Sequence, residues 1–533
     1  MRDSKKILLT LGAAALIAMA GCSTGGGKEG IPEPVTTKPV ETAAPTAEAV
    51  TPTATHTPTP AVTAAKKPES EDNNLKKGTI EEAAYESFSS FIDQYYFKSK
   101  IEDYGVFKKL NFWDQAEIYE IVIDAYEHTG DERYLNMIRE LFQGFTKLHG
   151  EDFSWNEYND DIMWITIAFT RAYRDTGDKA FLESAVRHFD LVWDRGWSED
   201  LGGGIFWRIE NTTKNACINC PAAIAACLLA EETHDDSYYE KAVMIMDWVV
   251  ENIYETKTGR VYDAYEMNGK KNPWASTYNQ GTFIGANTLL YLHTGDGKYL
   301  SQARRASDYT IENMYDGKVM DNEANSGDLV GFKGILARWM YAFAVDCDQP
   351  DVMEWMKMNA EVGWSNRNSK GIAATTWNTK TSESSEIIPF SASTIVSALN
   401  NVNNECRTGF KAEEGIKATD FTRCGKVIVT KDEAVHVKTD ADNAFLEYSH
   451  VTFPDNCKKT VIKAKTEKPV KVEIRIGSPD GQLISTGTIE KSANGEFYET
   501  TLENEALNGT QKIYIVFPDG GSELDISMIN FAS

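Results

Sequence analysis

The sequence predicts two folded parts: an all-α domain of helix pairs closed into a toroid, then a small all-β sandwich of jelly-roll type. Three observations carry this. A short turn signature recurs between residues 80 and 400, in step with helical apolar stripes. After Asn403 that periodicity gives way to two-residue alternation. A leader and a Pro-rich segment, residues 1–75, stand in front of both.

At 533 residues the chain exceeds one ordinary domain of about 100–200 residues. It is 42% hydrophobic and 11% aromatic, which suffices for a large core and excludes a disordered or fibrous chain. The 54 basic and 80 acidic residues give a net charge of −26. Such a field repels phosphate backbones and anionic lipid, so nucleic acid is excluded as a partner. Neutral carbohydrate suits the many aromatic faces. Eight cysteines are too few for a disulfide-built scaffold.

Residues 1–21 read as a secretion signal, in which Arg2, Lys5 and Lys6 precede an apolar run from Ile7 to Ala20. That run is short for a bilayer span of about 20 residues. It ends in Met19-Ala20-Gly21-Cys22, which resembles the lipobox of bacterial lipoproteins and implies lipidation of Cys22. Residues 22–75 then form a Thr-, Ala- and Pro-rich stalk, with eight of the sixteen prolines between Pro32 and Pro68. Fixed φ and missing N–H groups keep such a segment extended and solvated. The expectation is a lipid-anchored protein on the extracellular face of a bacterial membrane, touching the membrane only through its anchor.

The helical domain is expected over residues 76–405. Its signature is Thr129-Gly130-Asp131, repeated as Thr176-Gly177-Asp178, Thr233-His234-Asp235 and Thr294-Gly295-Asp296, each followed by aromatic and apolar residues. Glycine permits the left-handed residue that ends one helix, and Asp caps the next. Spacings of 47, 57 and 61 residues fit a helical hairpin plus a longer loop, so about six pairs fill the segment. Helix pairs can stack as an open superhelix or close into a ring. The long Gly- and aromatic-rich loops favour the ring, with a site at one mouth.

The sharpest local feature is Asn159-Asp160-Asp161-Ile162-Met163-Trp164, at a predicted helix start. Adjacent carboxylates repel, and burial pushes one to hold its proton while the other stays ionised. Consecutive Cα atoms are about 3.8 Å apart, so the carboxyls can reach the roughly 5–5.5 Å separation of retaining glycosidases. The mundane alternative is helix capping, because acids favour helix N-termini in any case. Gly202-Gly203-Gly204-Ile205-Phe206-Trp207, Lys214-Asn215-Ala216, Thr277-Tyr278-Asn279-Gln280-Gly281 and Gly331-Phe332-Lys333-Gly334 add amides, ammonium groups and aromatic faces at loop–helix junctions. That mixture suits sugar hydroxyls and ring faces.

In this order the motifs resemble glycoside hydrolase family 76 over about residues 80–400. The resemblance implies an (α/α)6 toroid and endo-α-1,6-mannanase activity with retention of configuration. It implies Asp160 as nucleophile and Asp161 as general acid/base. It also places Trp164, Trp207, Lys214, Asn215, Tyr278, Asn279, Gln280 and Lys333 near the cleft, with α-mannan as partner, no cofactor and a monomeric chain. Two departures stand out. A single Trp164 occupies the place where many relatives have two tryptophans, and Cys217-x-x-Cys220 follows the Lys-Asn-Ala motif. That pair lacks the further Cys or His of a zinc site, so no metal is expected there. Two other functions stay open: mannosyl transfer to another sugar, and glycan capture without cleavage.

Residues 406–425 are expected to be a linker and 426–533 a β-sandwich. Val470, Val472, Ile474 and Ile476 alternate with Lys471, Glu473 and Arg475, Ser478–Gly481 is a turn, and Lys512–Phe517 and Leu524–Phe531 are further strands. This part resembles carbohydrate-binding module family 6, through Phe445-Leu446-Glu447-Tyr448-Ser449 and Val472-Glu473-Ile474-Arg475. The last strand lacks the family's usual Asp and Trp near Ser527 and Met528, which leaves a structural calcium and the usual sugar platform open. Phe497 and Tyr498 are the candidate sugar-stacking rings, or core fillers. Cys406 and Cys424 flank the linker, where a loop-closing disulfide is one option.

Overall fold

The computed structural model describes residues 79–315, 317, 319–320, 323, 326–402 and 408–532. The expected signal, Cys22, the stalk and Cys406 lie outside the described residues.

Twelve α-helices occupy the described part of residues 80–402. They are α1 (Ile80–Tyr95), α2 (Phe112–Thr129), α3 (Glu132–His149), α4 (Asn159–Thr176), α5 (Lys179–Gly196) and α6 (Ala216–Thr233), then α7 (Ser237–Asn252), α8 (Thr277–Thr294), α9 (Gly297–Asn313), α10 (Phe332–Asp346), α11 (Pro350–Ser365) and α12 (Pro389–Val402). The even-numbered helices pack each against the next, and α12 returns to α2, so the ring is closed and the superhelix is excluded. The odd-numbered helices lie outside it. Sequence explains the division. In α6 every residue from Ala216 to Ala230 is buried, and a helix apolar all round must be interior. In α3 burial follows one stripe, Tyr134, Leu135, Ile138, Leu141 and Phe145, as on an outer helix.

The recurring signature makes the turns from inner to outer helix. Gly130, Gly177 and Gly295 adopt φ of 66°, 72° and 67°, and His234 takes the same left-handed place at 56°. Asp131, Asp178 and Asp296 cap the next helices by accepting backbone N–H bonds of 2.8–3.0 Å. Each signature Thr hydroxyl donates back to the carbonyl four residues earlier.

The ring axis is not apolar. Arg171 meets Glu120, Asp124 and Glu127 at 2.8–2.9 Å, and Arg338 meets Glu117 and Asp124 at 3.0 Å. Burial pushes Glu117 up to about 8, whereas Asp124, between the two guanidiniums, is held below its usual value.

The strands of the C-terminal domain all pair antiparallel, with two isolated parallel bridges, Thr408 to Ser449 and Lys411 to Thr452. Seven of its nine strands form one continuous hydrogen-bonded path, in which Ala444–Lys465 and Tyr498–Phe517 pair along most of their lengths, and two short strands pair off that path. Three register shifts, after Tyr448, Phe453 and Cys457, bend this pair. The expected strand at Lys512–Phe517 is therefore the end of a much longer one. Phe497 and Tyr498 are half-buried at its start.

The linker expected at 406–425 is corrected. Ile416–Lys417 pairs with the last strand and Arg423–Gly425 with Ala444–Lys465, so this segment belongs to the β-domain. Short polar stretches hid strands whose partners are distant in sequence. The two domains are joined closely at the C-terminal end of the ring. Tyr126 of α2 donates its hydroxyl to Val427 O at 2.7 Å and accepts from Val427 N at 3.0 Å. Lys426 N donates to Asp175 O and Val429 N to Gly130 O, both at 2.8 Å. Arg423 and Lys512 converge on Asp346 of α10 at 2.9 and 2.8 Å.

Candidate active site

All six inner helices start at the same mouth of the ring, opposite the β-domain. Their first turns gather the polar groups that the sequence had singled out, together with several it had not.

Asp160 and Asp161 lie in the first turn of α4. Arg195, at the end of α5, fixes this turn: Nε donates to Asn159 Oδ1 at 2.7 Å and Nη2 to Asn156 O at 2.8 Å. Asn156 Nδ2 in turn donates to Asp161 Oδ2 at 2.9 Å. The segment Ile205–Arg208 runs beside the helix start, with Asn159 N donating to Trp207 O at 2.9 Å and Asn159 Nδ2 to Phe206 O at 2.8 Å. This brings Trp207 to Asp160.

The glycine run shapes that segment. Gly202, Gly203 and Gly204 all have positive φ, and a Cβ on Gly204 would lie 2.6 Å from the Trp248 ring. Lys214 holds the loop closed, donating to Ser198 O, Asp200 O and Gly203 O at 2.5–2.7 Å.

α6 contributes Asn215 and Cys217, and α8 contributes Ser276, Tyr278 and Asn279. Tyr278 stacks on Phe332 of α10 at 3.7 Å, with Trp164 and Trp113 behind. Asn279 Nδ2 reaches Asp263 Oδ1 at 3.4 Å. Trp155 and Trp274 stand exposed beside Asn156 and Asn272.

Electrostatics set the pair apart. Burial drives Asp160 well above the usual carboxylate range, and the neighbouring charge of Asp161 adds to this. The Trp207 indole and the Cys217 thiol face Asp160 and hold the rise down. Asp161 is pushed up to about 6, chiefly by burial and further by Asp328, against the bond from Asn156. Asp114, in the first turn of α2, reaches about 7 by burial. Among the described residues no Lys or Arg forms an ion pair with Asp114, Asp160, Asp161, Asp263 or Asp328.

Several further buried polar atoms here have no partner among the described residues: Asn215 Oδ1, Ser276 Oγ and Asn279 Oδ1. A folded protein rarely strands so many in one place. Donors and acceptors converge on a cleft floored by aromatic rings, as a polyhydroxylated ligand requires.

The structure brings together Asp160, Asp161, Trp207, Asn215, Tyr278 and Asn279. Trp164 is 2% exposed and supports Tyr278 from below. Three expected contacts are corrected. Lys214, Gln280 and Lys333 are buried at 0–1% exposure. Lys214 binds its loop. Gln280 binds Val261 N, Gly259 O and Ala306 O. Lys333 donates to Met320 O and Thr375 O. Each organises backbone around the mouth, since a buried long polar chain must satisfy its own donors first. Sequence reasoning missed Trp113, Asp114, Asn156, Asp263 and Asp328, and weighed Cys217 only as half of a cysteine pair. Asp114 stands near the start of α2 as Asp160 does in α4, a parallel that aligning the inner helices reveals. Nothing local marks Asp263.

Comparison with known proteins follows this geometry. The model of glycosyl hydrolase family 76 matches residues 79–412, and that of carbohydrate binding module (family 6) matches residues 417–533. Among solved structures, the chain is similar to the GH76A α-1,6-mannanase from Salegentibacter sp. HEL1_6. Identity is 31%, over 61% of this chain and 99% of that one, with a TM-score of 0.56. An inactive variant of that enzyme, with two adjacent aspartates changed to asparagine, was solved with α-1,6-mannotriose; it is 30% identical over 61% and 99% of the two chains, at a TM-score of 0.56. A family 76 mannosidase from Bacteroides thetaiotaomicron shares the fold at 19% identity, over 61% and 99% of the chains, at a TM-score of 0.54. No curated protein matches. The chain belongs to glycosyl hydrolase family 76.

Proposed function

For this family 76 glycosyl hydrolase we propose endo-acting hydrolysis of α-1,6-mannosidic bonds in mannan, with retention of configuration, by a monomeric chain. The observation that carries the reading is the pair of adjacent carboxyls, raised by burial and free of cations, among unpartnered polar atoms over an aromatic floor. Similarity to the Salegentibacter enzyme supports the linkage.

Asp160 attacks the anomeric carbon while Asp161 protonates the leaving glycosidic oxygen. Asp161 then takes a proton from water, which displaces Asp160 and restores both carboxyls. Burial raises Asp160 more than Asp161, which favours a proton shared by the pair on Asp160 before substrate binds. Attack needs that carboxyl ionised, and the Trp207 and Cys217 donors facing it stabilise the carboxylate. The pair is active when it holds one proton in total.

Incubating the chain from Lys76 with linear α-1,6-mannan tests the reading. Short manno-oligosaccharides with retained anomeric configuration are expected, and intact polymer would refute it. Trapping with a fluorinated mannosyl donor, followed by peptide mapping, identifies the nucleophile; label on Asp161 would reverse the roles. Hydrolysis is separated from mannosyl transfer by products formed with an acceptor sugar present.

The leader, Cys22 and the stalk support a lipid-anchored location on the outer face of the cell membrane. Release of the protein by Cys22→Ala would bear this out, and unchanged membrane association would refute it.

A further inference from the structure

A second cavity, of about 930 Å³, lies at the other end of the ring, between the C-terminal ends of the inner helices and the β-domain. Ligand sites commonly occupy about 300–1,000 Å³. Two unpartnered groups line it. Asp175 of α4 is fully buried, and neither carboxyl oxygen has a hydrogen-bond partner among the described residues. Trp339 of α10 is 5% exposed, and its indole N–H lacks a partner too. Tyr239, Tyr341 and Tyr514 also line it; Tyr239 stacks on His293 at 3.4 Å and the Arg423 guanidinium lies 5.6 Å from the Tyr341 ring centre. The rim opens to solvent at His234, His293 and the Gly477–Asp480 turn.

Charge bears on the occupant. Arg171 is paired with Glu120, Asp124 and Glu127, Arg174 with Glu231 and Glu232, and Arg423 and Lys512 with Asp346. Nine carboxyls and seven Lys or Arg residues line the cavity, so its charge is close to balanced and selects neither an anion nor a cation. Burial, with Glu127 adding to it and Arg171 and Arg174 opposing it, raises Asp175 above the ordinary carboxylate range. A carboxyl accepts hydrogen bonds in either state, and donates one when protonated. Together with an indole N–H, this matches the hydroxyls of a neutral sugar.

We propose that this cavity is a second glycan site, taking a short neutral oligosaccharide and completed only by both domains. The cavity itself argues for the ligand class, independently of the linkage assigned to the cleft.

The test uses the full chain carrying Asp160→Asn and Asp161→Asn, titrated calorimetrically with α-1,6-mannotetraose, maltotriose, cellotriose and laminaritriose. At least one glycan is expected to give a binding event that Ser478→Trp, at the rim, and Trp339→Phe each weaken tenfold or more. Trp207→Ala removes binding at the cleft alone, so the two sites are told apart. Ser478 lies on an exposed turn, which keeps the test valid if the Trp339 variant fails to fold. If no glycan gives an event sensitive to Ser478→Trp, the cavity holds ordered water only and the proposal is overturned.

Discussion

Asp160 and Asp346 are well-buried carboxyls at opposite ends of inner helices, and their proton affinities lie on opposite sides of the ordinary value. Asp160 sits at the N-terminus of α4, where the helix dipole favours a carboxylate, yet it is raised. Asp346 is the last residue of α10, where the dipole disfavours one, yet it is held well below the usual range. Partners decide the outcome. Arg423 and Lys512 both reach Asp346, whereas Asp160 faces another carboxylate, an indole and a thiol. One end of the ring uses a buried charge to dock a domain, and the other keeps buried acidity available for chemistry.

Breaking the acidic pair has the largest expected effect. Asp160→Ala should lower kcat by about 10⁴–10⁶-fold and Asp161→Ala by about 10²–10⁴-fold, read as reducing ends released from mannan. Unfolding midpoints should stay level or rise, since like-charge repulsion is relieved. Next comes Arg423→Met, which leaves Asp346 and Glu447 short of a buried cation. A loss of about 3–5 kcal/mol in denaturant unfolding is expected, with the cleft chemistry otherwise intact.

The two ends should also separate by pH. Asp161 is raised to about 6, so acidification protonates both members of the pair and activity falls through about pH 6 rather than about 4. Asp346 is depressed, so its contribution to stability is complete above the ordinary carboxylate range and is lost only well below it. At pH 4.5 the protein should be folded and inactive; circular dichroism beside a rate profile checks this, and concerted loss would refute it. The smallest change is Trp207→Phe. Removing a donor that lowers Asp160 moves the alkaline limb, where the pair loses its last proton, to higher pH, and kcat should drop about 10–100-fold.

The helical ring was legible because its turns repeat. Thr-Gly-Asp needs only neighbouring residues to cap, terminate and restart a helix, so spacing alone gave the hairpins. The Asp pair was legible as an unusual adjacency, and Trp207 as the end of a glycine run. Lys214, Gln280 and Lys333 misled for one reason: a polar side chain in a motif reads as a ligand contact until its backbone acceptors are seen. The strands at Ile416–Lys417 and Arg423–Gly425 were missed because their partners lie far along the chain.

By itself, the sequence determined the helix pairs, their turns, the alternating strands behind them and the adjacent carboxyls, since all follow from contacts within a few residues. Only the tertiary structure decided that α12 closes on α2, that Asp114 and Asp263 join the mouth, and that the β-domain caps the other end around Asp346. These depend on which charges meet across hundreds of residues, and burial then sets whether each pairing quiets a carboxyl or arms it.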